Sequence, residues 1–203
     1  MAGEPDGRRE RRWQEVHDRI YHAAVELFLA KGFLATSYDE IAERADVARK
    51  TAFNHYPRKR HFGAEWGHRR RSQAEGALRP DLAEGAETTV LLRHYFEQLA
   101  KINVAERPLT RRMLSAWRES GGPFDTDLGE LAGVFTEMLA DGQRRGQIRR
   151  DADPRRAATL LYSAYFGTLF DWIEGTDEDP PFGLQDAFTF LLDIVLPGLH
   201  GTR

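Results

Sequence analysis

The sequence predicts an all-α protein in which a small N-terminal helical domain precedes a larger C-terminal helical bundle. Apolar residues recur at spacings of three and four along most of the 203 residues, and glycines and prolines interrupt these segments at intervals. No useful length of sequence alternates apolar and polar residues as a half-buried strand does. The chain is long enough for one large domain or for two smaller ones.

Composition narrows the possible functions. The absence of cysteine excludes disulfide frameworks, thiolate nucleophiles and cysteine-bound zinc. Residues 1–12 contain no apolar signal-peptide core, and the longest apolar stretch is shorter than the roughly 20 residues that cross a bilayer. We therefore expect a cytoplasmic protein with no membrane partner.

Positive charge is concentrated at the N-terminal end. The net charge is -3, but residues 1–75 hold 15 Lys and Arg against 12 Asp and Glu, which leaves -6 for the remaining residues. This modest bias permits nucleic-acid binding, although an ordinary solvated surface explains it equally well.

The first predicted helix spans residues 13–31. Its apolar residues fall on one face, and Gly32 follows as a stop. That face consists of Val16, Ile20, Ala23, Ala24, Leu27 and Phe28.

Two short helices are expected next. Ser37 stands three residues before Glu40, which is the spacing of a capping box, so a helix should begin at Ser37. Asp46 tolerates left-handed geometry and can turn the chain into a third helix at about residues 48–55, which must end before Pro57. A longer helix followed by two short ones is the helix-turn-helix arrangement, whose last helix enters a DNA groove. For that last segment in isolation, an ordinary solvated helix is the alternative.

The rest of the chain is expected to form a helical bundle. Helices are predicted at residues 58–77, 86–104, 108–119, 124–145, 154–175 and 184–196. The breaks between them are predicted at Pro108, at Gly121 to Pro123, at Gly146 and at Asp177 to Pro181.

Between residues 20 and 62, many residues have the types and the spacing of a known sequence signature. These residues are Gly32, Thr36, Ile41, Ala42, Ala45, Val47, Thr51, Phe53, His55, Tyr56, Lys59 and Phe62. In this register the segment resembles the DNA-binding signature of transcriptional regulators of the TetR/AcrR type. The resemblance implies a flexible basic tail at 1–12, a helix-turn-helix DNA-binding domain at 13–60, and a ligand-binding and dimerisation domain at 61–203.

Four positions depart from that signature. Asp46 replaces a turn glycine, Ala48 replaces a polar capping residue, and Lys50 replaces a small residue. Phe53 replaces a tyrosine, so the apolar contact with DNA should remain while the hydroxyl's hydrogen bond to phosphate is lost.

The resemblance also implies the residues that face DNA. They are Thr36, Ser37, Tyr38, Arg49, Lys50, Thr51, Phe53, His55 and Lys59. Arg49 and Lys50 are the candidates for reading guanine edges, and the others mainly contact phosphates or sugars. Two alternatives stay open: Lys50 could contact a phosphate, and His55 could pack beneath the helix. The arginine-rich tail could enter a minor groove or remain disordered.

The C-terminal domain is expected to hold a ligand and to form a homodimer. We expect Phe96, Met113, Trp117 and Phe166 to line the ligand pocket, although these side chains could equally fill an ordinary core. The last helix is apolar around much of its circumference and needs cover on more than one side, which a second copy can supply. The expected dimer interface is Leu161, Ala164, Thr168, Phe188, Leu191, Leu192 and Val195.

A repressor is the function that these features favour. It would bind a palindromic operator in double-stranded DNA and leave it when a small, largely apolar ligand of unknown identity binds. The sequence contains no nucleophile motif, metal-ligand run or phosphate-cradling loop, so neither an enzyme nor a bound cofactor or metal is expected. The alternative is a helical carrier or sensor of small molecules with weak or no sequence-specific DNA binding.

Overall fold

The computed structural model describes residues 5–78, 85–119 and 127–201. The helices are α1 Pro5–Lys31, α2 Tyr38–Arg44, α3 Arg49–His55, α4 Arg60–Gly76, α5 Thr88–Ala105, α6 Arg107–Glu119, α7 Asp127–Arg144, α8 Pro154–Trp172 and α9 Leu184–Val195, followed by a 3₁₀ turn at Leu196–Leu199. Within these ranges, β pairing is confined to an isolated bridge between Ile148 and His200. The all-α fold class is therefore confirmed.

Helices α1, α2 and α3 form a unit that we call the head. α1 packs on α2, and α2 packs on α3. Its core is closed by apolar residues from all three helices and from the start of α4. The largest of them are Ile20, Phe28, Ile41, Tyr56 and Phe62, all buried. Gly32 (φ 92°) ends α1 and Asp46 (φ 50°) turns α2 into α3, as the sequence predicted.

The start of α1 is a correction to the sequence analysis. The helix begins at Pro5 and not at residue 13, so residues 5–12 continue the helix instead of forming a separate flexible tail. Residues 7–15 are exposed, so no apolar face marks this part of the helix in the sequence. Arginine and glutamate favour helix, and proline suits a first helical turn, which explains the longer helix.

Helices α4 to α9 form the second unit, which we call the body. α7 packs along α8, α9 packs on α5 and α8, and α4 lies against α5 and α7. Aromatic rings fill its centre: Phe96 stacks on Phe135 at 5.2 Å between centroids and meets Tyr165 and Phe188 edge-on. The predicted break at 121–123 lies outside the described residues. No helix in the described ranges is long and apolar enough to cross a membrane.

Candidate nucleic-acid interface and ligand-binding core

The start of α2 is held by the capping box that the sequence predicted. The Glu40 N–H donates to Ser37 Oγ (3.3 Å), while the Ser37 N–H and hydroxyl donate to the Glu40 carboxylate at 2.9 and 2.8 Å. Lys31 also donates to this carboxylate, and these hydrogen bonds, that from Lys31 first, lower the pKa of Glu40 to about 2. Ser37 itself is exposed. Thr36 differs from expectation, because it is buried and its hydroxyl donates to Gly32 O at 2.9 Å, which stabilises the turn.

Helix α3 presents its basic residues to the outside. Ala52 is its buried residue, whereas Arg49 and Lys50 in its first turn are exposed. Arg49 Nε lies 3.2 Å from a carboxylate oxygen of Asp39, and both side chains are about 70% exposed. Exposed ion pairs of this kind contribute little, so Arg49 can exchange this carboxylate for another acceptor at small cost. Phe53 is 52% exposed, which leaves its ring available for an apolar contact.

Tyr38 braces α2 against the end of α3. Its hydroxyl donates to Tyr56 O at 2.6 Å, and burial raises its pKa to about 12. Its ring centroid lies 6.0 Å from that of Phe53. A hydrogen bond from Tyr38 to a phosphate would have to replace the one to the carbonyl. Thr51 is half-buried in the first half of α3.

His55 lies in a ring cluster that the sequence analysis did not identify. Its ring lies 4.8 Å from that of Trp13, and its Nδ1 lies 3.4 Å from Nδ1 of His17. His17 stacks on Tyr56 at 4.3 Å, and its Nε2 lies 2.8 Å from the Tyr56 hydroxyl and 3.7 Å from the Glu65 carboxylate. Burial lowers the pKa of both histidines, and His17 lowers that of His55 further. These contacts support the alternative in which His55 packs beneath α3.

Lys59 lies immediately before α4 and faces the loop between α1 and α2. Its ammonium donates to Leu34 O at 3.1 Å and lies 4.9 Å from the ring centroid of Phe33. Burial lowers the pKa of Lys59, and the charge of Lys31 lowers it further. A phosphate is a stronger acceptor than a carbonyl, so this side chain is well placed to turn to DNA.

The four predicted pocket residues do not share one of the cavities that the structure defines. Phe166 lines a small cavity between α4, α5, α7 and α8, of about 20 Å³. Phe96 is buried and lines an open cleft of about 280 Å³ between α5 and α9. Met113 is buried, and Trp117 packs edge-on against Phe166 at 4.8 Å; neither lines those two spaces. Phe96 and Met113 are therefore placed as core residues, whereas Trp117 and Phe166 are half-buried.

A polar network that the sequence did not predict lies inside the body. Arg70 of α4 is buried, and its guanidinium donates to Thr110 Oγ1 (2.9 Å) and Asn103 Oδ1 (3.4 Å). It also lies 2.9 Å from a Glu106 carboxylate oxygen and 4.1 Å from the Trp66 ring centroid. The four-residue spacing of Trp66 and Arg70 was the available signal, but an arginine at such a position normally predicts a solvated face.

Charged contacts also tie α4 to both units. On the head side, Arg69 pairs with Asp18 of α1. On the body side, Arg71 is buried and pairs with Glu130 of α7. Since Arg70 lies between them, three consecutive arginines connect the two units through one helix.

The predicted dimer interface is partly corrected. Leu161, Phe188 and Leu192 are buried inside the protomer and do not form part of its exposed surface. The four-residue repeat Leu184, Phe188, Leu192, Leu196 forms the inner face of the last helix and its 3₁₀ turn. Because α9 is apolar on both faces, the periodicity did not show which face is covered.

An apolar surface on the opposite face remains exposed. We call it the outer face of α8 and α9. It contains four of the predicted residues, Ala164, Thr168, Leu191 and Val195, which are half-buried, and three that the sequence analysis missed, Leu160, Phe190 and Ile194, which are 55 to 68% exposed.

Comparisons with known proteins agree with the helix-turn-helix arrangement. Residues 20–63 match the sequence family described as bacterial regulatory proteins of the tetR family. The HTH-type transcriptional repressor DhaR of Mycobacterium sp. is 21% identical over 198 residues, which cover 90% of this chain and 93% of DhaR. The putative mycofactocin biosynthesis transcriptional regulator MftR of Mycobacterium tuberculosis is 25% identical over 93% of each chain.

A solved structure resembles the chain over nearly its full length. It is that of FadR from Thermus thermophilus, a TetR-family transcriptional repressor crystallised in complex with lauroyl-CoA. The two chains are 28% identical and superpose with a TM-score of 0.71 over 92% of this chain and 96% of FadR.

Proposed function

The chain belongs to the TetR family of bacterial regulatory proteins, and from this premise we propose that it is a repressor. As a homodimer it binds a palindromic operator in double-stranded DNA, and a small, largely apolar ligand releases it. The observation that carries this proposal is the first turn of α3, where Arg49 and Lys50 are exposed while Ala52 anchors the helix in the head. A carrier of small molecules has no need for this exposed basic turn.

The proposed DNA-binding domain is residues 13–60. Arg49 and Lys50 read base edges in the major groove, where such side chains address guanine O6 and N7. Ser37 and Lys59 hold phosphates, and Phe53 contacts sugar or methyl groups. Thr36 supports the loop from inside. His55 supports α3 through its contacts with Trp13 and His17.

Dimerisation through the outer face of α8 and α9 supplies the two-fold symmetry of the operator. The exposure of Phe190 and Ile194 supports this assignment, because contiguous apolar surface on a helix needs cover. Replacing both residues by Asp should raise the dimer dissociation constant at least about a thousandfold, since two central apolar contacts are each worth about 2 kcal/mol or more. Sedimentation equilibrium measures this change.

The control for this variant is Val104→Asp, which places an Asp at an exposed apolar residue of α5. It should leave the dimer intact. If the Phe190→Asp, Ile194→Asp protein stayed dimeric, the dimer interface would have to lie on another surface.

The ligand-binding part of the proposal concerns residues 61–203. Its support is the aromatic centre of the body and the likeness to FadR, whose ligand lauroyl-CoA carries a long apolar chain. Release follows if the ligand favours a body arrangement that sets the two α3 helices at the wrong spacing for successive major grooves. Helix α4 is suited to transmit this change, because it contacts α1 through Arg69 and α7 through Arg71.

The experiment that tests the proposed function is selection of bound sequences from a random duplex pool by the purified protein. A two-fold symmetric site should be enriched, and its affinity should fall steeply with salt as phosphate contacts release counterions. If no sequence is enriched and binding stays near the non-specific range of roughly 10⁻⁴ to 10⁻⁶ M, the carrier alternative replaces the repressor.

A further inference from the structure

The core of the body contains buried charged donors that a purely apolar ligand could not pair with. Arg70 and Arg71 are both buried there, next to the apolar residues of the small cavity. We propose that the ligand of the body is an apolar acid whose carboxylate binds Arg70 and Arg71 and displaces the carboxylates of Glu106 and Glu130. This inference rests on the proposed ligand-responsive function and names the chemistry of its ligand.

Two further buried donors of the body have no acceptor among the described residues. Trp66 Nε1 belongs to a residue that lines the cavity and is 4% exposed, and no described residue accepts its hydrogen bond. The Tyr95 hydroxyl is buried and also lacks a partner among the described residues. Burial raises the pKa of Tyr95, Glu75 and Tyr165 raise it further, and the charge of Arg71 opposes this rise. Buried donors without acceptors are rare in folded proteins, and an oxyanion in the cavity would give Trp66 Nε1 an acceptor.

Two of the carboxylates that pair with these arginines lie largely at the protein surface. Glu106 lies 2.9 Å from Arg70, but its side chain is 48% exposed, and Glu130, the partner of Arg71, is 54% exposed. Both carboxylates reach the arginines from the surface and can return to water without desolvation. A ligand carboxylate has the same charge and geometry as these two groups, so it can take their place in bidentate contact.

The apolar part of the ligand has matching surroundings. Beside Trp66 and the two arginines, the cavity is lined by Leu99, Leu131, Tyr165, Phe166 and Leu169. Its volume of about 20 Å³ holds roughly one water molecule, so a larger ligand must move α4 away from its neighbours. Such a movement reaches the head, because Arg69 of α4 pairs with Asp18 of α1.

The test compares three probes with one apolar body: decanoate, decan-1-ol and decyltrimethylammonium, each below its micelle concentration. Their binding to the full-length protein is measured by isothermal titration calorimetry without DNA. Decanoate should bind at least about tenfold more tightly than the alcohol, because a buried charge-assisted pair replaces a neutral hydrogen bond. The cation should bind most weakly, since two buried positive charges repel it.

The decisive variant is Glu106→Gln, which removes the carboxylate that competes with the ligand. It should tighten decanoate binding by about tenfold and leave decanol binding unchanged, because the competitor for Arg70 has lost its charge. Glu97→Gln is the matched control: this half-exposed carboxylate of α5 pairs with Lys101 at 2.7 Å, outside the cavity, and its removal should change neither affinity. If the ion pair between Glu106 and Arg70 had only a structural role, Glu106→Gln would not increase the affinity for decanoate.

A second variant tests the arginine itself. Arg70→Met should abolish the preference for the acid, whereas Arg107→Met should keep it, because Arg107 is a buried arginine held by Trp172 O (3.0 Å) and Thr176 O (2.9 Å). The proposal is overturned if decanoate does not bind, if decanol binds equally well, or if Glu106→Gln leaves decanoate affinity unchanged or weaker. If decanoate binds as expected but does not weaken operator binding, the proposed acid site is supported and the proposed release from DNA by the ligand is contradicted.

Discussion

Two pairs of adjacent basic residues in this protein have opposite environments. Arg49 and Lys50 open α3, are exposed, and make one exposed ion pair with Asp39. Arg70 and Arg71 lie in α4 and are buried among apolar residues. The difference follows from the helices that carry them: α3 buries one residue, whereas α4 packs in the body and buries seven. A basic pair in the sequence therefore does not by itself identify a DNA contact.

The free-energy cost of changing an arginine's partner differs between the two environments. An exposed arginine can exchange its partner for a phosphate or a base at little cost. A buried arginine is strongly destabilising unless partners surround it, and removal of one member of such a set leaves the others without compensation. Consequently, changes at the first pair should act on DNA binding, and changes at the second pair should act on stability.

The largest effect is expected for Arg49→Ala combined with Lys50→Ala. Affinity for the selected operator should fall by at least about 10³, since four base contacts, two in each half-site, are lost and each is worth about 1–3 kcal/mol. The free energy of unfolding should change by no more than about 0.5 kcal/mol, because both side chains are exposed. Fluorescence anisotropy and chemical denaturation measure the two quantities.

The control for this variant is Arg155→Ala combined with Arg156→Ala, an exposed basic pair at the start of α8. It should leave operator affinity near that of the wild type. Equal losses in the two double variants would mean that the effect reflects net charge and not the position of α3.

An intermediate effect is expected for Arg70→Met. Methionine can keep apolar contact with Trp66, but Thr110 and Asn103 lose their charged partner. The free energy of unfolding should fall by about 1–3 kcal/mol. Arg93→Met removes the more exposed ion pair with Asp193 and should cost less than about 1 kcal/mol. Similar losses in both variants would contradict the contrast between buried and exposed charge.

The smallest effect concerns pH and the histidines under α3. Burial holds the pKa of His17 and of His55 below 6.5 in the folded protein, so below pH 6.5 the unfolded chain binds more protons. The contribution of these two histidines to the free energy of unfolding is therefore fully present above pH 6.5. It falls as the pH drops toward their pKa values in the folded protein. The urea midpoint should be lower at pH 5.5 than at pH 7.5, and His55→Gln should reduce this difference. His68→Gln, at an exposed position of α4, should leave it unchanged.

The head could be predicted from the sequence in most details. The Ser37 cap, the turn at Asp46 and the stop at Gly32 each follow from local backbone chemistry, and each is present in the structure. Local rules could not place the exposed first turns of α1, because no apolar face marks them. They also could not bring Trp13 and His17 against His55, because these residues are distant in the sequence.

The body was predictable only as a set of helices. Its helix boundaries lie within a few residues of the predicted ones, but the choice of face failed in α9, where Phe188 and Leu192 proved to be internal. The polar network of Arg70 could not be predicted, because burial of a charge depends on partners from other parts of the chain, which a single sequence does not reveal.

The central claim is that the exposed pair of α3 reads the operator. The measurement that tests it most directly is selection from one random duplex pool, carried out in parallel with the wild-type protein and with the Arg49→Ala, Lys50→Ala variant. The wild type should enrich a two-fold symmetric site, and the variant should lose the preference at the positions contacted by these residues in both half-sites. Enrichment of the same site to the same extent by both proteins would contradict the claim and place sequence recognition elsewhere in the molecule.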